Sequence, residues 1–132
     1  IVQYAAASMV SENKMYAHPA SVDSIPSSAN QEDVVSMGTT AARKAGMIVQ
    51  NTLSVLAMEL LTACQAIDIR RRLNTHGQGI TPLHEALYQH VREKVAFFEI
   101  DREIWPDIAE VEKMVRSGEL LEIVKEYMPE FQ

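Results

Sequence analysis

The feature that most constrains this chain is one long run of apolar residues at helical spacing, uninterrupted by proline. Val34/Val35, Met37, Ala41/Ala42, Ala45, Ile48/Val49, Leu53, Leu56, Leu60, Cys64 and Ile67 recur with the helical period, and the next proline is Pro82. At about 1.5 Å of rise per residue such a helix would extend roughly 60 Å. A compact domain of 132 residues is only about 30 Å across. Much of the stripe must therefore be covered by polypeptide other than this chain. The chain also opens on Ile1-Val2-Gln3-Tyr4-Ala5-Ala6-Ala7, with no initiating methionine and no capping residue, as though already inside a helix. It reads as a portion of something longer.

Composition narrows the class. An apolar fraction of 47% with 23% charged residues is that of a globular chain. A net charge of -6 repels a phosphate backbone, and Arg70, Arg71 and Arg72 form the only basic run, so nucleic acid is not an expected partner. Cys64 stands alone, which excludes an intramolecular disulfide and a multi-cysteine zinc site and fits a buried thiol in a cytoplasmic protein. The longest consecutive apolar run, around Ala96-Phe97-Phe98, is far too short for a membrane span, and the N-terminus lacks the order of a signal peptide. No membrane partner is expected.

The pattern is all-α: a long-helix bundle portion followed by shorter C-terminal helices. Residues 1 to about 16 read as an Ala-rich helix with a mostly apolar surface. Pro19 and Pro26 make the stretch from His18 to Ser28 an irregular loop. Ser28-Ala29-Asn30-Gln31 matches a capping box, which predicts that the long helix begins there and places Glu32 and Asp33 in its first turn. Residues 73–81 form a glycine-containing linker, after which Thr81 caps a helix with Pro82 at its first position, running to about Phe97. Pro106-Asp107 starts another, Ser117-Gly118 interrupts it, and Glu119 to Tyr127 forms the last. In domain terms, 1–72 supplies core bundle helices with a loop at about 17–33 as the candidate site, and 73–132 a linker and C-terminal helical region of the same continuous domain.

Few residues announce chemistry. The histidines at 18, 76, 84 and 90 have no i, i+4 pair and no third ligand, so no metal is expected. No phosphate loop or nucleophile elbow is present. What remains is Ser21-Val22-Asp23-Ser24-Ile25-Pro26-Ser27-Ser28-Ala29-Asn30-Gln31-Glu32-Asp33. Its plain reading is a solvated loop before a capped helix. Its functional reading is a positioned carboxylate, able to bind a cation or accept a proton.

These blocks carry a resemblance. Ser11-Glu12-Asn13-Lys14, then His18-Pro19-Ala20-Ser21-Val22-Asp23-Ser24-Ile25-Pro26, then Ser28-Ala29-Asn30-Gln31-Glu32-Asp33 and Val35-Ser36-Met37-Gly38 strongly resemble the histidine ammonia-lyases, members of the aromatic amino acid ammonia-lyase family. Weaker likeness runs through Ala41-Ala42-Arg43-Lys44, Ala63-Cys64-Gln65-Ala66-Ile67-Asp68, Asp101-Arg102 and Pro106-Asp107-Ile108, and so covers essentially the whole chain. The resemblance implies a helical homotetramer whose active sites draw on several subunits. It implies non-oxidative elimination of ammonia, from L-histidine to trans-urocanate, with methylidene-imidazolone as the electrophile. That group forms from an Ala-Ser-Gly tripeptide, which this sequence does not contain, so the chain alone is expected to be inactive and to need the N-terminal remainder of the enzyme. By resemblance Glu32 is the active-site glutamate, contacting the substrate's imidazole or amino group and assisting proton transfer, while Asn30 and Gln31 shape the prosthetic-group pocket. Tyr4 is expected in core packing, with a reach into the pocket from the first helix as the alternative, and His18 as a structural loop residue. Val34 stands where histidine ammonia-lyases commonly have His, as in some tyrosine-acting relatives, which leaves tyrosine ammonia-lyase or aminomutase chemistry open. A helical oligomerisation module without catalysis is the reading from a different class.

Overall fold

The computed structural model of the chain describes residues 1–73 and 79–131. The described residues form α-helices α1 (Val2–Tyr16), α2 (Gly38–Arg72), α3 (Pro82–Lys94), α4 (Trp105–Ser117) and α5 (Glu119–Tyr127), with a 3-10 turn at Ala20–Asp23. No strand occurs among them, and the one isolated bridge pairs Ser27 with Glu32. The expected all-α architecture is therefore the observed one. Most of the linker expected at 73–81, with His76 in it, lies outside the described residues.

Local chemistry sets most helix ends. Thr81 sits in extended backbone and its hydroxyl accepts from the His84 amide, with Pro82 in the first turn, as the sequence predicts. Pro106 likewise opens α4. Gly118, at φ 83°, takes the left-handed conformation that separates α4 from α5 without a Cβ penalty. In α2, Thr52 and Thr62 satisfy their hydroxyls on the carbonyls of Ile48 and Met58, both at 2.7 Å. Arg70, Arg71 and Arg72 in its last turn complement the helix dipole.

The chain divides into two compact units, Ile1–Thr52 and Leu53–Gln132, and α2 begins in the first and ends in the second. The core lies in the second unit. Ala57, Leu61 and Cys64 of α2 pack with Tyr88 and Val91 of α3, with Val95, and with Val111 and Met114 of α4; Leu120 of α5 rests against this cluster. The i, i+3 and i, i+4 spacings of 57/61/64, 88/91/95 and 111/114 put each set on one helix face. Cys64 is buried, as expected, and burial raises its thiol pKa, which makes it a packing residue rather than a nucleophile.

A polar lattice frames this core. Asp68 accepts from the Tyr88 hydroxyl at 2.6 Å and from Arg92 Nε at 2.9 Å, and the Arg92 guanidinium also donates to the Val95 carbonyl at 3.0 Å. Arg92 and Asp68 are 9% and 15% exposed, so the ion pair is largely dry and tolerable because both members are hydrogen-bonded. Gln65 donates to the Phe98 carbonyl at 2.8 Å, which ties the segment after α3 to α2.

Two expectations are corrected. An 18-residue window of α2 reaches a mean hydropathy of 1.4, so this helix is long and apolar enough by composition to cross a membrane. Counting only consecutive apolar residues missed it, because interspersed small and uncharged polar residues keep the window apolar. Its second half is a core helix, since Ala57, Leu61 and Cys64 are buried against α3 and α4. The other correction concerns where packing for α1 is found: Tyr4 is 76% exposed and α1 has no buried residue within this chain, so these residues alone do not bury it. Leu61→Ala should lower the unfolding free energy by about 2–5 kcal/mol, because the cavity opens in the densest part of the core; urea unfolding of the variant checks this.

Candidate functional site

The residues singled out by sequence fall in the first unit, between α1 and α2. The end of α1 and the following loop are anchored to α2 by polar side chains. Asn51, buried at 9% exposure, donates to Glu12 Oε2 at 2.7 Å and to Asn13 Oδ1 at 3.0 Å. Glu12 Oε1 accepts from the Tyr16 hydroxyl at 3.0 Å, and that carboxylate raises the tyrosine's pKa. Lys44 Nζ donates to the backbone carbonyl of His18, so His18 acts through its main chain, as a structural loop residue. Tyr16, His18, Pro19, Ala41, Lys44 and Ile48 are among the residues lining a small cleft at this junction.

Beyond it the backbone departs from the expected capped helix. Ser28, Ala29 and Asn30 have φ of 52°, 55° and 66°, three left-handed residues in succession. Each such residue other than glycine costs about 1–2 kcal/mol. Serine and asparagine soften that cost through local hydrogen bonding, whereas alanine does not. A right-handed helix cannot run through this turn, and the Gln31 amide goes to the Ser28 carbonyl. Met37, at φ 54°, is left-handed as well, and α2 starts only at Gly38. The capping box at 28–31 is thus not formed. Glu32 and Asp33 do not lie in the first turn of α2, which carries no acidic residue.

What holds Glu32 is a small closed loop. Ser27 N–H donates to the Glu32 carbonyl at 2.7 Å and Glu32 N–H to the Ser27 carbonyl at 3.3 Å, while Gln31 N–H donates to the Ser28 carbonyl at 3.2 Å. The Ser27 hydroxyl donates to Glu32 Oε2 at 3.2 Å. Outside this pair, Ser24 Oγ accepts from Val35 N–H at 2.7 Å and closes a wider loop. Asn30 and Gln31 therefore lie within one strained turn and Glu32 closes it by pairing with Ser27, and all three are exposed within this chain. The arrangement offers one carboxylate and two amides, able to accept an N–H and to donate to a carbonyl or ring nitrogen. Ser24 and Ser27 were not singled out by sequence. Their hydroxyl chemistry was visible, but no glycine marks the left-handed turn that brings Ser27 to Glu32.

Known proteins share this architecture. A family model described as aromatic amino acid lyase matches residues 1–93. The histidine ammonia-lyase of Caldanaerobacter subterraneus is 54% identical over 126 residues, covering 96% of this chain and 24% of that protein. That of Symbiobacterium thermophilum is 53% identical, covering 95% of this chain and 24% of its own length. The crystal structure of histidine ammonia-lyase from Trypanosoma cruzi superposes with a TM-score of 0.83 at 46% identity, covering 93% of this chain and 23% of that one. Tyrosine aminomutase from Streptomyces globisporus gives 0.82 at 37% identity, covering 94% of this chain and 23% of that one. The chain thus spans 24% of the length of these curated relatives.

Asn51→Ala should free α1 from α2 at a cost of about 1–3 kcal/mol, because Glu12 and Asn13 lose a buried donor. Faster amide hydrogen exchange across residues 2–16 is the expected readout, and unchanged protection would contradict the anchoring role.

Proposed function

Because this chain belongs to the aromatic amino acid lyase family, we propose that the whole protein eliminates ammonia from L-histidine to give trans-urocanate, with Glu32 as the carboxylate that meets the substrate. The observation that carries this reading is the clasped turn, which presents Glu32 exposed while a hydroxyl engages one of its oxygens. A carboxylate beside an imidazole accepts its N–H and favours the positive charge the ring gains on protonation. It can also take up a proton during elimination.

The family uses methylidene-imidazolone, which supplies an electrophile for the amino acid when in place. The chemistry of the donor set fits that group: the Asn30 and Gln31 amides each offer a donor and an acceptor to a polar five-membered ring, and the turn holds both next to Glu32. These 132 residues contain no Ala-Ser-Gly segment. The reading therefore assigns the electrophile to other residues of the whole protein and no turnover to these 132 residues alone. It also takes the protein to be a cytoplasmic homotetramer.

A second reading, tyrosine ammonia-lyase or aminomutase chemistry, draws on Val34 in place of the histidine common after the Glu-Asp pair, and on the likeness to tyrosine aminomutase. The higher identity to histidine ammonia-lyases favours the first. With the full-length protein, urocanate absorbance should grow with histidine and no product should form from tyrosine. Glu32→Gln should lower kcat on histidine by about 10²-fold or more, the range for loss of a proton-transfer group. Undiminished histidine turnover by that variant would remove Glu32 from the mechanism; turnover of tyrosine in place of histidine would transfer the case to the second reading.

A further inference from the structure

We propose that Ser27 is a positioning residue for Glu32, its hydroxyl holding one carboxylate oxygen so that the other is presented to substrate. The inference rests on the reading of Glu32 as the substrate-facing carboxylate.

Three observations converge on it. The Ser27 hydroxyl donates to Glu32 Oε2 at 3.2 Å, which leaves Oε1 as the oxygen to receive a substrate N–H. The two residues also exchange both backbone hydrogen bonds, so Oγ and the carboxylate are brought together by the main chain rather than by chance side-chain rotation. The turn between them is left-handed at three successive positions, a conformation that persists only where its surroundings enforce it. A glutamate side chain has several rotatable bonds, and an exposed one samples many rotamers unless something engages its end. Ser27 supplies that engagement.

Its role is separable from loop closure. The backbone pair between Ser27 and Glu32 does not need the hydroxyl, and Ser24 Oγ holds Val35 N–H independently. Ser27 lies in extended backbone, at φ −134° and ψ 177°, which β-branched residues accept readily. Threonine and valine at this position are therefore a near-isosteric pair differing in the donor.

The test uses the full-length protein and steady-state kinetics with histidine. Ser27→Ala should lower kcat about tenfold with KM changed less than about twofold, the scale for misplacing a group through loss of one charge-assisted hydrogen bond. Ser27→Thr should recover most of that loss, and Ser27→Val should match alanine. In the Glu32→Gln background, Ser27→Ala should add less than about twofold, because the two residues act as one unit. An equal loss from Ser27→Ala in both backgrounds, or equal activity of the threonine and valine variants, overturns the positioning role while leaving Glu32 in place. Full histidine turnover by Glu32→Gln overturns the reading of Glu32, and the role of Ser27 with it. If Ser27→Ala does not fold, the threonine and valine pair decides.

Discussion

The continuity of α2 is the constraint on which the rest of the chain depends. From Gly38 to Arg72 the helix is unbroken, and the structure is organised by what it offers along its length. Lys44 reaches the His18 carbonyl, Asn51 holds the end of α1, Leu61 and Cys64 build the core, and Gln65 and Asp68 fasten the segments that follow. Apolar burial supplies most of the stabilisation but has no direction. The hydrogen bonds are directional, and they decide which residue meets which. A proline within the helix would remove a backbone hydrogen bond and kink it locally.

The turn carrying Asn30, Gln31 and Glu32 shows the same division of labour on a smaller scale. Its backbone is held by the reciprocal hydrogen-bonded pair of Ser27 and Glu32, and the side chains of Asn30, Gln31 and Glu32 are exposed. Such a turn is unfavourable in isolation, since Ala29 gains nothing locally from a left-handed conformation. It persists because the hydrogen bonds around it close the loop.

The sequence was most legible where proline and glycine act as punctuation. Thr81-Pro82, Pro106 and Gly118 placed the ends of α3, α4 and α5 to within a few residues, because each of these residue types has only a few backbone options. The core face of α2 was legible from periodicity. The start of α2 was not. Ser28 and Gln31 carry the right side chains for a capping box, and local propensity alone favours it. The pairing of Ser27 with Glu32 and of Ser24 with Val35 competes for the same segment and wins, and contacts of that kind leave no mark on composition. Glu32 was singled out by resemblance, and its expected place in the first turn of the long helix is not the observed one. Its observed support is a hydroxyl and a backbone bridge.

The Asp68–Arg92 pair has a consequence for how this part of the protein can vary. Sliding α3 by one turn along α2 would break the packing of Leu61 and Cys64 with Tyr88 and Val91. It would also strand a carboxylate and a guanidinium in a dry setting, each without its mate. The pair therefore adds a polar pin to the register that the apolar faces set. Substitutions among the surrounding aliphatic side chains leave that pin in place, because it is a contact to which they do not contribute.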